Sequence, residues 1–199
     1  MPEVTASCNP FRTRRLERLP FRTPRDGSPF DWESFLARFH SAAIRERGAV
    51  VGPHGSGKTT FLVEFTQRLE SRGREVVRLL TNRDAGRGIP APWLGTLRAA
   101  GESAVVVVDG YDVLRPFSRF WLRRALRPRG GLIVTAHRRC ALPTLLKTRP
   151  SPRLLSTLVD RLFADAPGAT RPTDESLRDL YLSHDGNLRE VFRILYLAR

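Results

Sequence analysis

Apolar positions along the chain fall into short runs and helical stripes that alternate. Trp32, Phe35, Leu36 and Phe39 recur at three-to-four spacing behind Ser28 or Asp31 as a cap, which predicts a helix with one aromatic face turned to a core. Residues 49–51 read as a short strand that breaks into a glycine-rich loop. Residues 59–72 are periodic in Leu62, Phe65 and Leu69, with Gly73 as the stop. Residues 75–80, 104–108 and 131–135 read as further strands, the last two as apolar runs covered on both faces. Helices are expected at 94–100, after an interruption by Pro90, Pro92 and Trp93, and at 117–126. Strands alternating with helices imply parallel pairing through right-handed crossovers. The expected class is therefore α/β, a three-layer sandwich with a mostly parallel sheet whose ligands gather at the carboxyl ends of the strands.

The last third changes pattern. Ser151-Pro152 is a helix start, and Leu154, Leu155, Leu158, Leu162 and Phe163 share a face. Thr173 precedes Asp174 and Glu175, acids suited to a first helical turn, and Gly186 follows that helix. Asn187 and Glu190 form a capping-box pattern before Val191, Ile194, Leu195 and Leu197. Residues 1–29 are rich in Arg and Pro without a sustained period, an irregular arm of a composition that permits disorder. The expected division is an arm at 1–29, a core at 30–150 and a small helical appendage at 151–199.

Composition narrows this little. A length of 199 residues, 41% hydrophobic content and a mean hydropathy of -0.31 suit a globular chain with a real core. The longest apolar run, 104–108, is far too short for a bilayer, so no membrane partner is expected. The opening MPEVTASCNPFRTRRLERLPF lacks the apolar stretch of a secretory signal. Cys8 and Cys140 match no metal spacing, and a cytoplasmic setting is the expectation. The formal charge of +14 points to an anionic partner. Yet Lys58 and Lys147 are the only lysines. Such an arginine skew follows from base composition as readily as from nucleic-acid binding, and the simpler reading is an arginine-rich surface.

Candidate chemistry begins at Gly52-Pro53-His54-Gly55-Ser56-Gly57-Lys58-Thr59, followed by Thr60, which fits G-x-x-x-x-G-K-[ST] at every set position. Glycines let the backbone curl so that successive N–H groups face one anion, and the following helix adds its positive end. Lys58 would reach the β- and γ-phosphates, and the Thr59 hydroxyl would ligate Mg²⁺. His54, at a variable loop position, is a candidate for loop contacts alone. Asp109 ends the run Val105-Val106-Val107-Val108, where a carboxylate can hold the Mg²⁺ shell. The alternative is a plain Asp109-Gly110 turn. Many nucleotide folds place Glu directly after such an Asp to polarise water; here that position is Gly110, and Asp112 is the nearest substitute. Glu64 reads as a solvated helix residue. At the end of the 131–135 strand, Thr135 or His137 could sense a γ-phosphate and Arg138 could add positive charge, or the strand simply ends in a polar loop.

Together these motifs resemble P-loop NTPases of the AAA+ and STAND kind. GPHGSGKTT looks like a Walker A motif, VVVVDGYD like a Walker B motif and LIVTAHR like a sensor-1 strand, the last two being similar to NACHT-type ATPases. The resemblance implies strand order 5-1-4-3-2, Mg²⁺ held by Asp109, Asp112 assisting water or metal, and His137 or Arg138 as sensor. The segment 186–190 resembles the helical lid of AAA+ ATPases. The sequence departs from the NACHT pattern at Val113, where that family carries Glu. The implied function is ATP binding with Mg²⁺ and slow or partner-stimulated hydrolysis as a switch, with a protein partner or self-association. Two other readings stay open. One is a small-molecule kinase with Arg123, Arg124, Arg127 and Arg129 as lid; the other is a nucleotide-gated module gripping nucleic acid or protein through Arg119, Arg123 and Arg127.

Overall fold

The computed structural model describes residues 9–81, 88–126, 130–164, 166 and 169–198. The chain divides into two compact units, one of Asp31–Gly52 with Phe61–Lys147, the other of Met1–Phe30, Pro53–Thr60 and Thr148–Arg199.

The first of these holds a five-stranded sheet, all parallel, in the order β2-β3-β4-β1-β5. Its strands are β1 (Arg47–Val51), β2 (Val76–Leu80), β3 (Val105–Asp109), β4 (Leu132–Ala136) and β5 (Thr144–Lys147). It is an α/β unit, and helices flank the sheet. Along each strand alternate residues serve opposite faces. One set, Ala49, Val77, Leu79, Val106, Val108, Leu132 and Val134, packs with Trp93 and Leu97 of α4 (Ala91–Ala99) and Leu122 of α5 (Pro116–Ala125). On the other face Val50, Val105, Val107, Ile133 and Thr135 are buried as well, while Arg78 and Leu80 of β2 are exposed. Helix α2 (Trp32–His40) begins at Asp31, whose carboxylate accepts from the Ser34 N–H at 3.0 Å. Its rings pack on those of α3 (Lys58–Glu70): Trp32 stacks on Phe61 at 5.0 Å, and Phe39 meets Phe65 edge-on at 5.1 Å.

Two elements differ from the sequence expectation. Helix α4 starts at Ala91, not after Trp93, because Pro92 lies in the first turn, where a missing N–H costs nothing. Strand β5 carries no sequence signal: four residues with one fully buried, Leu145, give no period to read. Its place is prepared by Gly48, where a Cβ would overlap the Leu145 side chain. Its carbonyls are capped by Arg38, which donates to Leu145 O at 3.2 Å.

In the other unit, α6 (Pro152–Ala164), α7 (Asp174–Ser183) and α8 (Leu188–Leu197) share a core of Leu154, Leu155, Leu158, Val159, Leu162, Leu177, Leu188, Val191, Phe192 and Leu195. Thr173 and Asn187 cap α7 and α8 as their sequence positions require. Residues 9–29 carry one short helix, α1 (Thr13–Leu16), and their anchor is Phe11, 1% exposed within the same core. Residues 1–8 of the expected arm, with Cys8, lie outside the described residues.

Candidate functional site

The glycine-rich loop leaves the carboxyl end of β1 and runs into α3, which starts at Lys58. Gly55 and Gly57 take φ values of 65° and 84°, the left-handed region that lets a loop curl back on itself. At Gly57 space is open, with only the Phe21 ring 3.7 Å from where a Cβ would stand, so the dihedral alone demands glycine. At Gly55 space matters too, since a Cβ would overlap the Asn187 side chain. Lys58 is largely buried and its ammonium donates to Pro53 O at 2.6 Å, across the mouth of the curl. Ser56 shares a buried hydrogen bond of 2.8 Å with Thr148, which pins the loop's middle. His54, Thr59 and Thr60 face solvent. Curled backbone, helix N-terminus and lysine are the donor set of an anion cradle. The residues fit a polyphosphate.

The acidic residues lie at the sheet's carboxyl edge. Asp109 closes β3, and Thr135 on the adjacent β4 donates to its Oδ1 at 2.5 Å while accepting from the Gly110 N–H at 2.8 Å. Thr81, beyond β2, donates to the carbonyls of Asp109 and Gly110 at 2.9 and 2.8 Å. Gly110 has φ 82°, and a Cβ there would overlap the Thr81 hydroxyl. A glutamate at this position would be strained by that dihedral and would displace Thr81. The two oxygen donors sought for Mg²⁺, Asp109 and Thr59, are hard ligands of the right chemistry. Among the described residues no group of three or more His, Cys, Asp or Glu is gathered as a metal cluster.

Asp112 and His137 meet. The Asp112 Oδ2 accepts from the His137 N–H at 2.9 Å and from its ring Nδ1 at 2.7 Å. Burial pushes the Asp112 carboxyl up, but the hydrogen bonds and charge of His137 outweigh it and hold the group below its ordinary value. Its Oδ1 is buried without a hydrogen-bond partner. Asp112 is thus committed to orienting His137, and Arg138 is exposed. A cavity of about 440 Å³ opens here, lined by Asp112, Val113, Leu114, Arg115, Pro116, Arg119 and His137.

Thr81 and Thr148 carry no assignment in the sequence. Thr81 was legible by the rule that picked Thr135, a polar residue at a strand's carboxyl end; Thr148 depends on long-range packing, as does the contact of Asn187 with Gly55. Of the arginines considered for a lid or basic stripe, Arg127 and Arg129 lie outside the described residues. Arg119 is turned back onto the chain, its Nε donating to Leu114 O at 2.7 Å. Glu64 pairs with Arg68 at 3.1 Å one turn along α3 and is half-buried rather than the solvated residue expected.

No protein-family model matches the chain, and no curated protein matches it significantly. Among the described residues no helix is long and apolar enough to cross a membrane.

Proposed function

We propose that this chain binds ATP with Mg²⁺ through residues 52–60 and hydrolyses it slowly, or on contact with a partner, as a molecular switch of the P-loop kind. One observation carries the reading. The motif's glycines Gly55 and Gly57 adopt the positive φ that a phosphate cradle needs, directly before a 13-residue helix that opens with Lys58. Three further features support it. Read from its other edge, the sheet order is 5-1-4-3-2, the order implied by the resemblance. The carboxyl ends of β1, β4 and β3 lie side by side, and they lead to the loop, Thr135 and Asp109. Asn187, from the lid-like segment, packs on Gly55.

In this reading the loop N–H groups and Lys58 hold the phosphates, Thr59 and Asp109 would hold Mg²⁺, and Thr135 aims the Asp109 carboxylate through its hydrogen bond to Oδ1. Bound Mg²⁺ would offset charge on the β- and γ-phosphates. Asp112 positions His137 rather than serving as a base, because its lowered pKa makes it a weak one. With Gly110 in place of glutamate, turnover is slow.

The test is a matched binding and turnover assay on wild type, Lys58→Ala and Asp109→Asn. Expected are loss of ATP retention in Lys58→Ala and loss of Mg²⁺ dependence in Asp109→Asn. Unchanged retention in Lys58→Ala would sink the proposal. The cavity beside Asp112 favours one second reading, phosphoryl transfer to a small acceptor seated there. A metabolite screen with labelled ATP decides it, and a blank screen alongside measurable ATPase ends it.

A further inference from the structure

Helix α5 presents an unusual outward face. Its inward residues, Ser118 and Leu122, are buried, with Leu126 beyond its end. The opposite side of an amphipathic helix is ordinarily polar. Here Phe117 is 76% exposed, Phe120 58% and Trp121 36%. These positions are spaced i, i+3 and i+4, so the three rings form one stripe. Exposed Arg115 and Arg124 flank it, half-buried Arg119 and Arg123 border it, and the helix PFSRFWLRRA has no acidic residue. The acid nearest the helix in sequence, Asp112, is engaged by His137.

From this we propose that the outward face of α5 is a stacking platform for single-stranded nucleic acid. Aromatic faces bordered by guanidinium groups suit unpaired bases on a phosphate backbone: rings stack on bases without regard to sequence, and arginines offset the phosphates. A duplex hides its base faces within the stack and fits poorly. A second copy of this face would bring Arg115 and Arg124 against their own kind. An amphipathic partner helix needs a groove to enter, whereas one helix offers a ridge. The chain's net charge of +14 favours the same anionic partner. This inference stands apart from ATP binding, and its test needs no nucleotide triphosphate.

The experiment titrates labelled oligo-dT and oligo-U of about 20 nucleotides, a duplex of equal length and an acidic amphipathic peptide, at low and moderate salt, following anisotropy and tryptophan fluorescence. Trp32 and Trp93 are buried at 9% and 7% exposure, so quenching by stacked bases reports on Trp121. Expected are binding of single strands over duplex, quenching that vanishes in Trp121→Leu, and at least about tenfold weaker binding in the Phe117→Ser/Phe120→Ser double variant at an unchanged salt slope. Arg115→Ala/Arg124→Ala should lower the salt slope by about 1.4. Circular dichroism confirms that each variant, altered only at exposed positions, stays folded. No retention at low salt, binding indifferent to the aromatic substitutions, or preference for the acidic peptide would each overturn the proposal.

Discussion

Gly110 and Asp112 carry the clearest physical account at the scale of single residues. Gly110 is held at φ 82° with the Thr81 hydroxyl filling the space of a Cβ. Gly110→Ala should therefore lose about 2 kcal/mol or more of stability in urea denaturation, the cost of a left-handed non-glycine residue plus the displaced Thr81. Gly110→Glu, which adds a carboxylate at this position, should be still less stable and no faster in ATP turnover. Asp112 predicts a pH effect. Its folded pKa lies below the ordinary 3.8, so its pairing with His137 adds stability that is complete above that value and is lost as pH falls through the depressed one. Thermal midpoints of wild type should drop on that acid limb, and Asp112→Asn should flatten it. An equal drop in both proteins would remove Asp112 as the cause.

Secondary elements follow from the sequence wherever apolar spacing is long enough to show a period. The stripe Trp32, Phe35, Leu36 and Phe39 marks α2, and Leu62, Phe65 and Leu69 mark α3, because both helices bury one face through aromatic rings. Phe65 lies at the centre, with ring centroids 5.1 Å from Phe39 and 5.8 Å from both Phe35 and Phe61. Phe65→Ala should cost about 3–5 kcal/mol in chemical denaturation, since three rings would border the cavity. A loss under 1 kcal/mol would mean the aromatic layer is not the core it looks to be. Strand β5 and the first turn of α4 escape such reading for different reasons. A four-residue edge strand has no measurable alternation, and proline at a helix start looks, in sequence alone, like an interruption.

For the molecule as a whole, local pattern and long-range packing contribute unequally. The α/β character and the loop's chemistry follow from runs and motifs a dozen residues long. The grouping of residues 53–60 with the C-terminal helices does not, because it rests on Ser56 meeting Thr148 and Gly55 meeting Asn187, pairs far apart in sequence, the first by 92 residues. Net charge is equally blind to arrangement: arginines that look like a stripe in α5 turn partly inward, and the exposed stripe is aromatic. Nucleotide binding is the claim on which the proposed switch depends. Isothermal titration calorimetry of ATP into the full chain tests it most directly, run with Mg²⁺, with EDTA, and with Lys58→Ala. Saturable binding with Mg²⁺ is expected, weakened by EDTA and abolished in a folded Lys58→Ala protein. Absence of binding in wild type, or equal binding in Lys58→Ala, would contradict it.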